Sequence, residues 1–126
     1  MFDITRNSKS FKLTINLTRC DSQNMTIEQM ANLWQTITKG YYERNKITIT
    51  SVTICKGKNV YCKDWGCADG ENVYIITGTL NIHLEPRVDE WMEAVKGCAK
   101  ILIEKLKCPN TFLEMCDTKL TYIENN

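Results

Sequence analysis

Between residues 11 and 18 the chain alternates without a break: Phe11, Leu13, Ile15 and Leu17 are apolar, and Lys12, Thr14, Asn16 and Thr18 are polar. Successive side chains of a strand project to opposite faces, so this segment has one face suited to a core and one that is not. An all-helical fold is excluded, and a sheet covered mainly on one side is required. The rest of the chain offers the cover. Thr26, followed three residues later by Gln29, is a capping-box pattern, and Ile27, Met30, Trp34, Ile37 and Tyr41 then recur at helical spacing. A second apolar stripe, Val88, Trp91, Val95, Cys98, Leu102 and Leu106, lies between Pro86 and Pro109. Asp89, Glu90 and Glu93 come early in that stretch and Lys100, Lys105 and Lys107 late, the order that the helix dipole favours.

Three further strands are predicted. Residues 47–55 are rich in β-branched side chains, with a bulge expected at Thr50 and Ser51. Residues 73–84 place Tyr74, Ile76, Leu80, Ile82 and Leu84 on one face and Thr77, Thr79, Asn81 and His83 on the other, and residues 112–123 supply the last strand. Gly78 falls on the apolar face, where it allows a bend or a close helix contact. Residues 56–71, with Gly57, Gly66 and Gly70, read as an extended hairpin arm in which Val60, Tyr61 and Cys62 extend the sheet locally. The order strand-helix-strand-strand-helix-strand predicts an α+β two-layer sandwich of ferredoxin-like order. It has a four-stranded antiparallel sheet and two helices on one face.

A length of 126 residues suits one domain, residues 1–126. The 16 basic residues nearly balance 15 acidic ones, so no strong field draws duplex nucleic acid or an anionic membrane. No apolar run is long enough to span a bilayer and no secretory signal opens the chain, so a cytoplasmic protein is expected. With seven cysteines, an odd count, reduced thiols are the default.

The polar alternates of the strands fall together on the uncovered face: Lys12, Thr14, Asn16 and Thr18, then Thr48 and Thr53, Thr77, Thr79, Asn81 and His83, and finally Lys119 and Thr121. Such a face is either simply solvated or a platform for a polar ligand or a second subunit. RNA-recognition domains stack bases on aromatics of the central strands, and no aromatic occupies those outward positions here. Acylphosphatases share the element order, but Arg19-Cys20-Asp21 lacks the glycine-bearing loop that their chemistry needs. His83 is the only histidine, which excludes a histidine pair within one chain, and no phosphate loop or nucleophile elbow occurs. Of Cys55, Cys62 and Cys67, only the last two approach zinc-ligand spacing, and no second pair exists. No catalytic residue, metal or cofactor is therefore assigned. On the arm, Tyr61, Lys63 and Trp65 are the residue types of interface anchors.

These features predict a non-catalytic binding or inhibitor module whose partner is another protein or a small polar ligand. Lys in place of Arg, with abundant Ile and Asn, is the usage of an AT-rich genome. It suggests a phage- or virus-type protein that blocks a host defence by binding a protein or sequestering a nucleotide signal. Two alternatives stay open: a homo-oligomeric small-molecule-binding protein whose Thr-rich faces meet, and an enzyme using His83 at a subunit interface.

Overall fold

The computed structural model describes residues 3–18, 25–49, 51–62, 64, 70–81, 85–108 and 110–125. Its elements are β1 (Asp3–Thr18), α1 (Ile27–Asn45), β2 (Val52–Asn59), β3 (Glu71–Thr79), α2 (Val88–Leu106) and β4 (Asn110–Asn125). The four strands form one antiparallel sheet in the order β2-β3-β1-β4. This is the βαββαβ arrangement expected, with each helix crossing over a strand inserted between its two neighbours in sequence.

The alternation in β1 sets the core. Leu13, Ile15 and Leu17 are fully buried and lie beside Gly78, Ile76 and Tyr74 of β3. The same cluster holds Met30, Trp34 and Ile37 of α1 and Trp91, Val95, Cys98, Leu102 and Leu106 of α2. Burying a large apolar side chain contributes about 1.5–3 kcal/mol, so the two helical stripes drive both helices onto this face. Thr26 caps α1 as its spacing predicts: its hydroxyl accepts from Gln29 N at 3.1 Å, and its own N–H donates to Gln29 Oε1 at 2.9 Å. Tyr74 donates from its hydroxyl to Met25 O at 2.7 Å, fastening the chain ahead of α1 to the sheet.

Several boundaries differ from the sequence reading. β2 starts at Val52 instead of residue 47 and continues to Asn59, so residues 56–59 belong to the sheet. Val60, Tyr61 and Cys62 lie beyond its end. Ile47 is buried in the crossover instead, and Thr48 N donates to Glu85 Oε1 at 3.1 Å. β3 ends at Thr79, five residues before the expected 84. β1 and β4 are longer than expected because they pair with one another along their whole lengths, from Asp3 opposite Asn125 to Thr18 opposite Asn110. The neighbour that needs Gly78 to be small is a strand, not a helix: a Cβ there would lie 2.9 Å from Val52 Cγ1.

Glu85 joins the two crossovers. Its buried carboxylate accepts from Thr48 N, from Arg87 Nε at 2.8 Å and from Arg87 Nη2 at 2.9 Å. Arg87 Nη2 also donates to Lys46 O, the residue that caps α1 in a left-handed conformation. The bonds from Arg87 outweigh burial and hold the Glu85 carboxyl below its ordinary pKa of 4.5. Because the folded value is depressed, the stabilisation is present above the usual carboxylate range and is lost as pH falls through the folded value.

Two outcomes follow. Glu85→Gln should lower stability at neutral pH by about 2 kcal/mol, and urea unfolding at a series of pH values should show that gap closing below about pH 4.5. A gap independent of pH would remove the charge from this account. Gly78→Val should cost about 1–3 kcal/mol through overpacking against Val52, read as a lower urea midpoint at an unchanged slope.

Candidate functional site

The face of the sheet turned away from the helices carries, by register, Lys12, Thr14, Asn16 and Thr18 on β1 and Thr79, Thr77, Ile75, Val73 and Glu71 on β3. Thr53, Cys55, Gly57 and Asn59 extend it on β2. This face is not uniformly open. Thr18, Val73 and Glu71 are all buried, whereas Lys12 and Thr53 are exposed.

On β4 the alternation runs opposite to the sequence reading. Leu13 pairs with Met115, so Phe112, Glu114 and Cys116 share the face of Thr14 and Asn16. Lys119 and Thr121, which were expected there, have the helix-side parity. A shift of one residue in a strand reverses every side chain, and the short apolar set of β4 leaves its parity ambiguous. Phe112 and Glu114 are therefore the residues of this face that sequence reasoning missed. The one available signal was the Leu113-x-Met115 pair, which marks the inner side.

Two grooves lie on the face. One, of about 540 Å³, is lined by Thr48, Ser51, Thr53, Thr77, Thr79 and Asn81, with Gly78 and Leu120. It gathers three of the predicted site residues, Thr77, Thr79 and Asn81, but offers only hydroxyls and an amide. The other, of about 500 Å³, is lined by Thr14, Asn16, Lys58, Asn59, Val60, Tyr61, Phe112 and Glu114. Tyr61 falls here, apart from the threonines of β3. This groove combines a cation, a carboxylate, an amide pair and two aromatic rings. Phe112 is 66% exposed and Val60 77%. Asn16 Oδ1 is buried without a hydrogen-bond partner. The remaining predicted site residues, Lys63, Trp65 and His83, lie outside the described residues.

Among the described residues no group of three or more His, Cys, Asp or Glu side chains could hold a metal ion. Cys55, Cys62 and Cys116 are free and exposed. Cys98 sits in the core, where burial pushes its thiol up to about 11. The expectation of reduced thiols fails at Cys108, which is disulfide-bonded and packs at the core's edge beyond α2. No helix among the described residues is long and apolar enough to cross a membrane.

Two solved structures share this fold. A phage SAM lyase in complex with S-methyl-5'-thioadenosine aligns at a TM-score of 0.54 and 16% identity over 90% of each chain. A phage SAM lyase in its apo state aligns at the same score and identity, over 92% of this chain and 90% of the other. A search of curated proteins finds no match. The sequence itself matches the family described as SAM lyase over residues 8–124, which takes in both halves of the βαββαβ unit. Lyases are enzymes, so the expectation of a non-catalytic binding or inhibitor module is corrected. That expectation took the lack of an activated nucleophile or a histidine relay as evidence against catalysis, which holds only for reactions in which the protein must supply those groups. The chain belongs to the SAM lyase family.

Proposed function

We propose that this protein cleaves S-adenosylmethionine to S-methyl-5'-thioadenosine without water or a cofactor. The observation that carries this reading is the family match over residues 8–124. The chemistry agrees with the residues at hand. The substrate brings its own leaving group, a sulfonium, and its own nucleophile, a carboxylate on the same amino-acid chain. The carboxylate oxygen bonds to Cγ as the Cγ–S bond breaks. The electron pair passes to sulfur, which leaves as the neutral thioether, and the remaining fragment is the lactone of homoserine. No proton has to move.

The protein's task is then to fold the substrate's tail so that oxygen and Cγ approach, a proximity effect. It must also strip water from two opposite charges that are partly neutralised in the transition state and gone in the products. The groove lined by Tyr61, Val60 and Phe112 is suited to the second task. Aromatic faces attract a sulfonium and stack on a purine. Lys58 and Glu114 complement the charged amino-acid end and the ribose hydroxyls. The threonine-lined groove has no charge with which to hold such a zwitterion.

The groove is open in the single chain, and a second copy seated over Val60, Tyr61 and Phe112 would exclude water from it. Destroying S-adenosylmethionine removes a methyl donor from a host cell. That supports an anti-defence role in a phage setting, with destruction of a nucleoside compound in place of sequestration of a nucleotide signal.

The purified protein, with nothing added, should convert S-adenosylmethionine to an equal amount of S-methyl-5'-thioadenosine, followed by chromatography. Unchanged substrate would sink the reading. Phe112→Ala should lower kcat/KM by about 10–100-fold while leaving the melting temperature nearly unchanged, because the ring is mostly exposed. Sedimentation in the presence of S-methyl-5'-thioadenosine should show an oligomer. A fully active monomer would remove the second copy from the site.

A further inference from the structure

Asn16 lies on β1 in register with Phe112 of β4 on one side and Ile75 of β3 on the other. Its neighbours across the sheet are thus an exposed aromatic ring and an aliphatic side chain, a surface on which a flat base can rest. Its Oδ1 is buried and unpaired. Among the described residues Trp91 Nε1 and Thr111 Oγ1 share that condition, but neither residue lines the two grooves of the sheet face. A buried carbonyl oxygen without a donor is a costly arrangement. Rotation about Cβ–Cγ exchanges the two ends of the amide, so the same side chain can turn its oxygen, its nitrogen or its whole edge to the groove.

The amide edge has a specific complement. Adenine presents a 6-amino donor beside the N7 acceptor, and a carboxamide matches both with its oxygen and its nitrogen. We propose that Asn16 is the base-specificity residue of this groove. The adenine ring stacks on Phe112, its 6-amino group donates to Asn16 Oδ1, and N7 accepts from Asn16 Nδ2. This rests on the lyase reading and goes beyond it by saying which end of the substrate lies over β1 and β4. Glu114, the next residue of β4 on the same face, then stands where the ribose hydroxyls follow the base. A deaminated base presents two acceptors, of which the amide can satisfy one. A protein that reads the base in this way rejects 6-oxo purines.

Titration calorimetry of the full chain with S-methyl-5'-thioadenosine and with its deaminated counterpart, 5'-methylthioinosine, tests the assignment. The wild type should prefer the adenine compound by about tenfold or more. Asn16→Ala and the strand-favouring Asn16→Val should bind both compounds with similar, weaker affinity, with folding checked by thermal melting. An unchanged preference in either folded variant overturns the role of Asn16. A wild type that cleaves S-adenosylmethionine but does not discriminate between the two ligands overturns it while leaving the lyase reading intact. A wild type that neither binds these ligands nor consumes S-adenosylmethionine overturns both.

Discussion

β1 is hydrogen-bonded along both edges, to β3 and to β4, and nearly everything else is placed by that fact. Because its alternation is strict, only one register of the whole sheet buries Leu13, Ile15 and Leu17 together. A slip of one residue would bring Lys12, Thr14 and Asn16 under the helices. The same constraint that makes the core therefore also determines which polar residues reach the other face. The register that sets Ile15 between Ile76 and Leu113 also sets Asn16 beside Phe112, and Thr14 beside both Glu114 and Thr77.

The chemistry needs little more than such a surface. Enzymes that must generate a nucleophile show it as a triad, a metal or a perturbed pair of titrating groups. In the proposed reaction the reacting atoms belong to the substrate, and the contribution of the protein is conformation and desolvation. Neither has a short sequence motif, because both arise from a surface assembled from β1, β2 and β4. Absence of catalytic signatures is for this reaction class an expected property of the active protein and carries no weight against activity.

The fold was legible where local patterns and tertiary structure agree. The alternation of residues 11–18, the Thr26–Gln29 capping box and the two helical stripes all appear as read. It was misread where a distant partner decides. Ile47, Thr48 and Ile49 have strand-like composition, yet the Thr48 amide is taken by Glu85, 37 residues away, and the strand begins later. β4 has the opposite parity to the one expected, since Leu113 and Met115 mark its inner side while Phe112, Cys116 and Leu120 make the outer side apolar as well. That one-residue ambiguity hid Phe112 and Glu114, half of the chemical character of the groove. Tyr61 was singled out as an interface anchor, while its companions in space come from strands remote in sequence.

The two grooves show how a single sheet face can be divided by its edge strands. β3 lines the first through Thr77 and Thr79, β1 lines the second through Thr14 and Asn16, and Thr14 pairs with Thr77 across the boundary. The difference comes from what lies at either end. Toward Ser51 and Thr53 the surface is hydroxyl-rich, where water competes on equal terms for every hydrogen bond. Toward Val60, Tyr61 and Phe112 it is apolar, with Lys58 and Glu114 at its margins. A zwitterionic sulfonium loses its charge separation as it reacts, so it is accelerated by the second kind of surroundings and not by the first. In the proposed reaction the threonine face that dominates the sequence is thus the scaffold beside the reactive end, and the residues that give that end its character are the few apolar ones that interrupt it.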